Sequence, residues 1–149
     1  MNGTDFITRL VLSAFLGVLI GLERQFTGHP GGIRTNALVC LGACMFSLYP
    51  ELVNTPDETP MATQIISGIG FLCSAIIFKD GANVRGLNTA TTIWCTAAIG
   101  VLSSSHNLIM PIVATGILVV INLILRPIAN SVHKYVERCS DICGEDPES

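Results

Sequence analysis

The chain has 149 residues, half of them apolar and only 13% charged, with 8 Lys+Arg against 11 Asp+Glu for a net charge of −3. An ordinary soluble domain carries roughly 25% charged residues, and here eight of the nineteen charges fall in 126–149, leaving eleven for the first 125 residues. That body is too apolar for a dispersed soluble globule, has no basic patch for nucleic acid and is too apolar for disorder, so composition points to a small polytopic membrane protein whose first partner is the lipid bilayer.

Five apolar segments follow in chain order: Phe6 to Leu22, Thr35 to Tyr49, Ala62 to Phe78, Asn88 to Leu102, and Leu108 to Leu125. Each is bounded by charge, Pro or Gly. Their lengths sit at or below the lower end of about 17–25 residues for a spanning helix. Core helices of a soluble protein would need amphipathic helices around them, and the sequence offers none. The predicted fold is therefore all-α, a bundle of about five transmembrane helices over 1–128 with a polar tail over 129–149. Met1 to Thr8 has no Lys or Arg ahead of the apolar run and no small-x-small site follows, so the first segment is read as a span and not a cleavable signal.

Loop charges orient the spans. Arg24 and Arg34 lie between the first two, Lys79 and Arg85 between the third and fourth, and Arg126, Lys134 and Arg138 after the fifth. The loop Pro50 to Met61 holds Glu51, Asp57 and Glu58 but no Lys or Arg, and Ser103 to Asn107 holds neither. The alternation is the positive-inside pattern, with the N-terminus outside and the C-terminus in the cytoplasm. Arg9, near the start of the first span, is expected to snorkel to the interface.

Small residues recur at helical spacing: Ser13, Gly17 and Gly21 in the first span, and Thr92, Thr96 and Gly100 in the fourth. With Gly68, Gly70 and Gly86 they are the candidate packing positions, where helix backbones approach closely. They serve packing within the chain or, as the alternative, a homo-oligomer face. Four of the six cysteines (Cys40, Cys44, Cys73 and Cys95) lie in apolar segments and act there as small hydrophobes.

No catalytic set is visible. His29, His106 and His133 fall in different polar segments, and no Walker-type loop exists, so ATP hydrolysis is not expected. Cys139-x-x-x-Cys143 with His133 lacks a fourth ligand and the usual pair spacing. The three carboxylates of the acidic loop do not make a magnesium cage, which needs near-octahedral oxygen geometry. No catalysis, cofactor or metal is therefore expected.

The polar residues that do converge are Glu23, Arg24, Arg34, Lys79, Asp80 and Arg85, all at helix ends beside two Gly-containing loops. Ionisable groups at membrane depth are costly unless paired. They form either an ion-pair network pinning two helical hairpins, with Glu23 and Asp80 as partners of the four cations, or a site for a lipid headgroup, a small anion or a partner protein. Asn88, opening the fourth span, is expected to cap it.

Three stretches carry a family resemblance: Ile20-Gly-Leu-Glu-Arg24 followed by Gly31-Gly-Ile-Arg-Thr35; Gln64-Ile-Ile-Ser-Gly-Ile-Gly-Phe-Leu72; and Phe78-Lys-Asp-Gly-Ala-Asn-Val-Arg-Gly-Leu-Asn-Thr-Ala90 running into Ile93-Trp-Cys-Thr-Ala-Ala-Ile-Gly100. Together they resemble the MgtC/SapB family of bacterial inner-membrane proteins. The resemblance implies about five membrane helices with the N-terminus out. It also implies importance for Asn88 and Cys95, and a signature loop containing Asp80, Arg85 and Gly86. Family members are linked to growth under magnesium limitation and, in pathogens, to survival inside host cells. They are described as regulators of membrane energetics, with the rotary ATP synthase as a suggested partner. The sequence departs from the family at Glu58 and Pro60, which replace Pro and Arg, and at Cys73-Ser74-Ala75, which replaces Gly-Ala-Gly. It also ends 23 residues past Arg126, where longer members carry a soluble domain. The expected function is a non-catalytic inner-membrane regulator acting under magnesium limitation or acid and host stress. The alternatives are a small ion or solute transporter, and a structural subunit of a larger membrane complex. A transporter should carry an ionisable residue mid-span; spans two to five have none.

Overall fold

The computed structural model describes residues 3–53, 59–81 and 83–143, without the side chains of 59, 60, 80, 83, 126 and 128–143. Asp57 and Glu58 of the acidic loop therefore lie outside the described residues. Helices α1 (Gly3–Phe26), α2 (Ile33–Leu52) and α3 (Thr59–Ser74) come first. A β-hairpin follows, β1 (Phe78–Asp80) with β2 (Asn83–Arg85), then α4 (Leu87–Ser103) and α5 (Ile109–Cys143). Met1–Gly116 makes one compact unit, and a second begins at Ile117.

The five expected helices are present and the chain is predominantly α, but three boundaries differ. α2 runs on past Tyr49, carrying Pro50 inside its last turn and Glu51 with it. α3 stops at Ser74 and not at Phe78, because the amides of Ile76 and Ile77 turn back to the carbonyls of Cys73 and Ser74. The branched and aromatic run Ile76-Ile77-Phe78 then favours extended backbone. It leads into an antiparallel hairpin with Phe78 opposite Arg85 and Lys79 opposite Val84, a feature the apolar pattern did not signal. α5 continues through Pro127 to Cys143, well past the expected end at Leu125.

Within the first unit α2 packs on α1, α3 and α4. A Cβ on Gly17 would lie 2.7 Å from the Asn36 carbonyl oxygen and 2.8 Å from Ala37 Cα, and one on Gly21 would collide with Ile33 Cα. A Cβ on Gly100 of α4 would strike the Cys40 carbonyl of α2. These three glycines bring backbones together inside the chain. Leu16, Ile20, Cys40, Ala43, Cys44 and Leu48 close the α1–α2 core, and Cys73, Ala90 and Ile93 join α3 to α4. Gly86, in the left-handed region at φ +87°, lets the backbone entering α4 pass against the Ile76 carbonyl.

Gly68 and Gly70 depart from their expected packing role: nothing lies within 4 Å of a Cβ on either. Gly68 instead lines an open apolar cleft of about 520 Å³ between α2 and α3, with Gly42, Phe46 and Ile65 among its neighbours. The outer face of α1 displays Ile7, Val11 and Phe15 to the surroundings, and α5 displays Ile109, Ile112 and Val113. Among the described residues one helix, Gly3–Phe26, is long and apolar enough to cross a membrane, and Met61–Ser74 and Ile109–Leu125 are shorter apolar helices.

The glycines separate experimentally. Gly68→Ala should leave stability unchanged or raise it by about 0.5–1 kcal/mol, the helix-interior gain of Ala over Gly. Gly100→Ala should cost about 1–3 kcal/mol, because its methyl has only rigid backbone to displace. Thermal unfolding of the two purified variants distinguishes them by the sign of the shift.

Candidate functional site

Arg24 ends α1, where a cation also meets the favourable end of the helix dipole. Its side chain is buried, and Nη2 donates to Thr89 Oγ1 at 3.0 Å across 65 residues of sequence. Thr89 sits in the first turns of α4, so this bond ties the end of α1 to the start of α4. The α1–α2 turn packs between them. Gly28 and Gly31 take positive φ there, and a Cβ on Gly31 would approach the Thr89 methyl at 3.1 Å. Asn36 locks this turn from inside α2. Its Nδ2 donates to the carbonyls of Gly31 and Gly32, while its Oδ1 accepts from Thr96 Oγ1 at 3.0 Å. Asn36 and Thr96 are both fully enclosed.

The four cations expected to act together are not equivalent. Arg24 is enclosed, whereas Arg34, Lys79 and Arg85 are exposed. Glu23 is half-buried; Thr27 Oγ1 donates to its backbone carbonyl at 2.9 Å and lies 3.5 Å from its Oε1. The Asp80 side chain lies outside the described ones, so its pairing with the cations is not among the contacts here. Asn88 does not cap α4. The N-cap position is Gly86 and carries no side-chain bond. Asn88 is exposed one residue inside the helix, where its carbonyl accepts from Thr91 and Thr92. The left-handed turn at Gly86 starts the helix two residues earlier than a cap at Asn88 would. Cys95 is half-buried on α4, six residues beyond Thr89 and so about 9 Å further along the axis.

A second polar centre lies at the other end of the unit. Arg9 does not snorkel to an interface; it is buried, with a side-chain exposure of 7%. Its Nη1 donates to Glu51 Oε2 at 3.2 Å and to the Ser104 carbonyl at 2.8 Å, and its Nη2 donates to His106 Nδ1 at 2.7 Å. Sequence reading missed this centre because its members lie 42 to 97 residues apart. A signal did exist: Arg9 stands one helical turn before Ser13 on the face that continues through Gly17 and Gly21, and all four are buried. Asn36 and Thr89 were also missed, the first as one polar residue at the start of an apolar helix. Among the described residues no three His, Cys, Asp or Glu side chains gather as a metal site.

The sequence model of the MgtC family matches residues 10–131. Protein MgtC of Brucella abortus is 51% identical over 114 residues, 76% of this chain and 48% of the relative. Protein MgtC of Salmonella typhimurium is 44% identical over 130 residues, 87% of this chain and 56% of the relative. The chain thus spans about half the length of the curated relatives it matches. No solved structure matches.

The Arg24–Thr89 bond can be tested directly. Thr89→Val keeps the side-chain shape and removes the acceptor, which should cost about 1.5–3 kcal/mol, the worth of a hydrogen bond to a charged group. Thr89→Ser should recover most of it. Thermal unfolding of both variants reads the difference, and equal stability of the two would show the hydroxyl to be idle.

Proposed function

The chain belongs to the MgtC family, and from that premise we propose that it is a non-catalytic regulator set in a bacterial inner membrane, not a transporter. The observation that carries this reading is how the buried polar groups are used. Arg24, Asn36, Thr96 and Arg9 are enclosed, and each is bonded to another element of the same chain. Among the described residues no buried side-chain nitrogen or oxygen is left without a partner. A transport path needs ionisable or polar groups that face a water-filled route and can exchange partners; here these groups are committed to holding helices together. The apolar side chains displayed along α1 and α5 suit a hydrocarbon surrounding, since scattered exposed apolar residues are normal but long apolar faces mark lipid or partner contact.

In the proposed topology the N-terminus lies outside. The α1–α2 turn and the hairpin, with Arg34, Lys79 and Arg85, face the cytoplasm beside anionic headgroups. The regulated partner is another membrane protein; the family resemblance suggests the rotary ATP synthase. The physiological setting is magnesium limitation or acid and host stress.

Purified chain in liposomes should give no Mg²⁺ flux above empty vesicles. A saturable flux would reverse the reading in favour of a transporter. Topology is checked in intact cells with an impermeant maleimide, in a Cys139→Ser/Cys143→Ser background. Ser105→Cys should label without permeabilisation and Gly28→Cys only after it. Labelling of both from one side would rule out the proposed arrangement.

A further inference from the structure

We propose that Arg9, His106 and Glu51 form a proton-responsive latch that joins α1, the end of α2 and the α4–α5 turn, closed while His106 is neutral and opened when it takes up a proton. The argument rests on donors and acceptors. A guanidinium offers only N–H donors and does not deprotonate in proteins. Arg9 Nη2 lies 2.7 Å from His106 Nδ1, so Nδ1 must be the acceptor and the ring proton must sit on Nε2. Protonation puts an N–H on Nδ1. Two donors and two positive charges then face each other at hydrogen-bond distance, and the contact cannot persist.

The proton can reach the ring, because His106 is exposed. Arg9 cannot retreat from it, because it is buried and held on Nη1 by both Glu51 and the Ser104 carbonyl. The ring and the turn that carries it are therefore the parts that move. Among the described residues the charged groups around His106 are Asp5 and Arg9 from α1, and Glu51 of α2 on the far side of Arg9; the turn itself contributes Ser104, Ser105 and Asn107, which carry no charge. Asp5 and Thr8 line a recess of about 90 Å³ beside Arg9 and His106. Asp5 is the carboxylate towards which a protonated ring would turn.

The sign follows from the form that is bound. The latch uses neutral imidazole, so its stabilisation is present at higher pH and is lost on acidification. The interval from pH 7.5 to 5.5 brackets the ordinary imidazole range and stays above the ordinary carboxylate range. With the N-terminus outside, the latch reads the pH of the outer compartment. That direction alone rests on the topology proposed above; the latch itself does not.

Thermal unfolding of the full chain in detergent, at pH 7.5 and 5.5, tests the latch without reference to membrane orientation. Wild type and His29→Asn should each lose about 3–5 °C on acidification, the size of shift that one such contact gives in a chain of this length. His106→Asn places an amide oxygen close to the Nδ1 position, accepts from Arg9 and does not titrate, so it should lose less than a third of that. A wild-type protein indifferent to pH, or His106→Asn losing as much as wild type, overturns the proposal. Should His106→Asn not fold, nitrogen NMR of wild type labelled at histidine decides, with signals assigned against His29→Asn and His133→Asn. At pH 7.5 the His106 Nδ1 signal should be that of an unprotonated acceptor, and a proton on Nδ1 at that pH overturns the latch.

Discussion

At three glycines where α1 and α4 meet α2 there is no room for a Cβ. Gly17 and Gly21 press α1 against the backbone of α2 at Asn36, Ala37 and Ile33, and Gly100 presses α4 against it at Cys40. Backbones this close favour short side chains around them, and Ser13, Thr92, Thr96, Ala43, Ala97 and Ser103 are enclosed there beside the larger Leu16, Ile20 and Leu48. The hydroxyls among them bond to carbonyls of their own helices, three or four residues back. Such local bonds satisfy a buried hydroxyl within its own helix, and Thr96 also reaches Asn36 across the interface. Close approach and short polar side chains are two aspects of one constraint.

That constraint sets the geometry of both polar centres. α1 and α4 run antiparallel, both packed against α2 and against each other, and two buried arginines tie them. Arg24 reaches Thr89 at the start of α4, and Arg9 reaches the Ser104 carbonyl just beyond its end. The two arginines are 15 residues apart on one face of α1, about 22 Å along the axis. Arginine suits the task because its rigid fork can address several acceptors at once; Arg9 serves a carboxylate, a carbonyl and an imidazole. Each buried charge is compensated by bonds to other helices, and breaking those bonds would strand it at considerable cost. The helix ends are therefore coupled through the arginines as well as through packing.

The two centres differ in what they can respond to. Arg24 meets the Thr89 hydroxyl, which carries no charge. Arg9 meets an imidazole and a carboxylate, both of them ionisable. The first centre is suited to holding the end of α1 against the start of α4, and the second to changing state. The matched family region, residues 10–131, contains Arg24, Asn36, Thr89 and Thr96 of the first centre and Glu51, Ser104 and His106 of the second, but begins just after Arg9 and the recess residues Asp5 and Thr8.

By itself the sequence determined the helices, their order and the family, because each depends on local pattern: apolar runs bounded by breakers, and motifs contiguous in the chain. It also marked Gly17, Gly21 and Gly100 as close-packing positions through their spacing with Ser13, Thr92 and Thr96. Spacing reports only which residues share a face, not what stands opposite that face. Gly68 and Gly70 satisfied the same composition rule, yet among the described residues nothing lies within 4 Å of a Cβ on either, and Gly68 borders an open cleft. Asn88 has the right chemistry for a cap, but a left-handed turn at Gly86 starts the helix before it. The joining of Arg9, Glu51 and His106, and of Arg24 and Thr89, was decided by tertiary structure alone. Their members are 42 to 97 residues apart, and only the glycine-set approach of α1, α2 and α4 brings them within bonding distance.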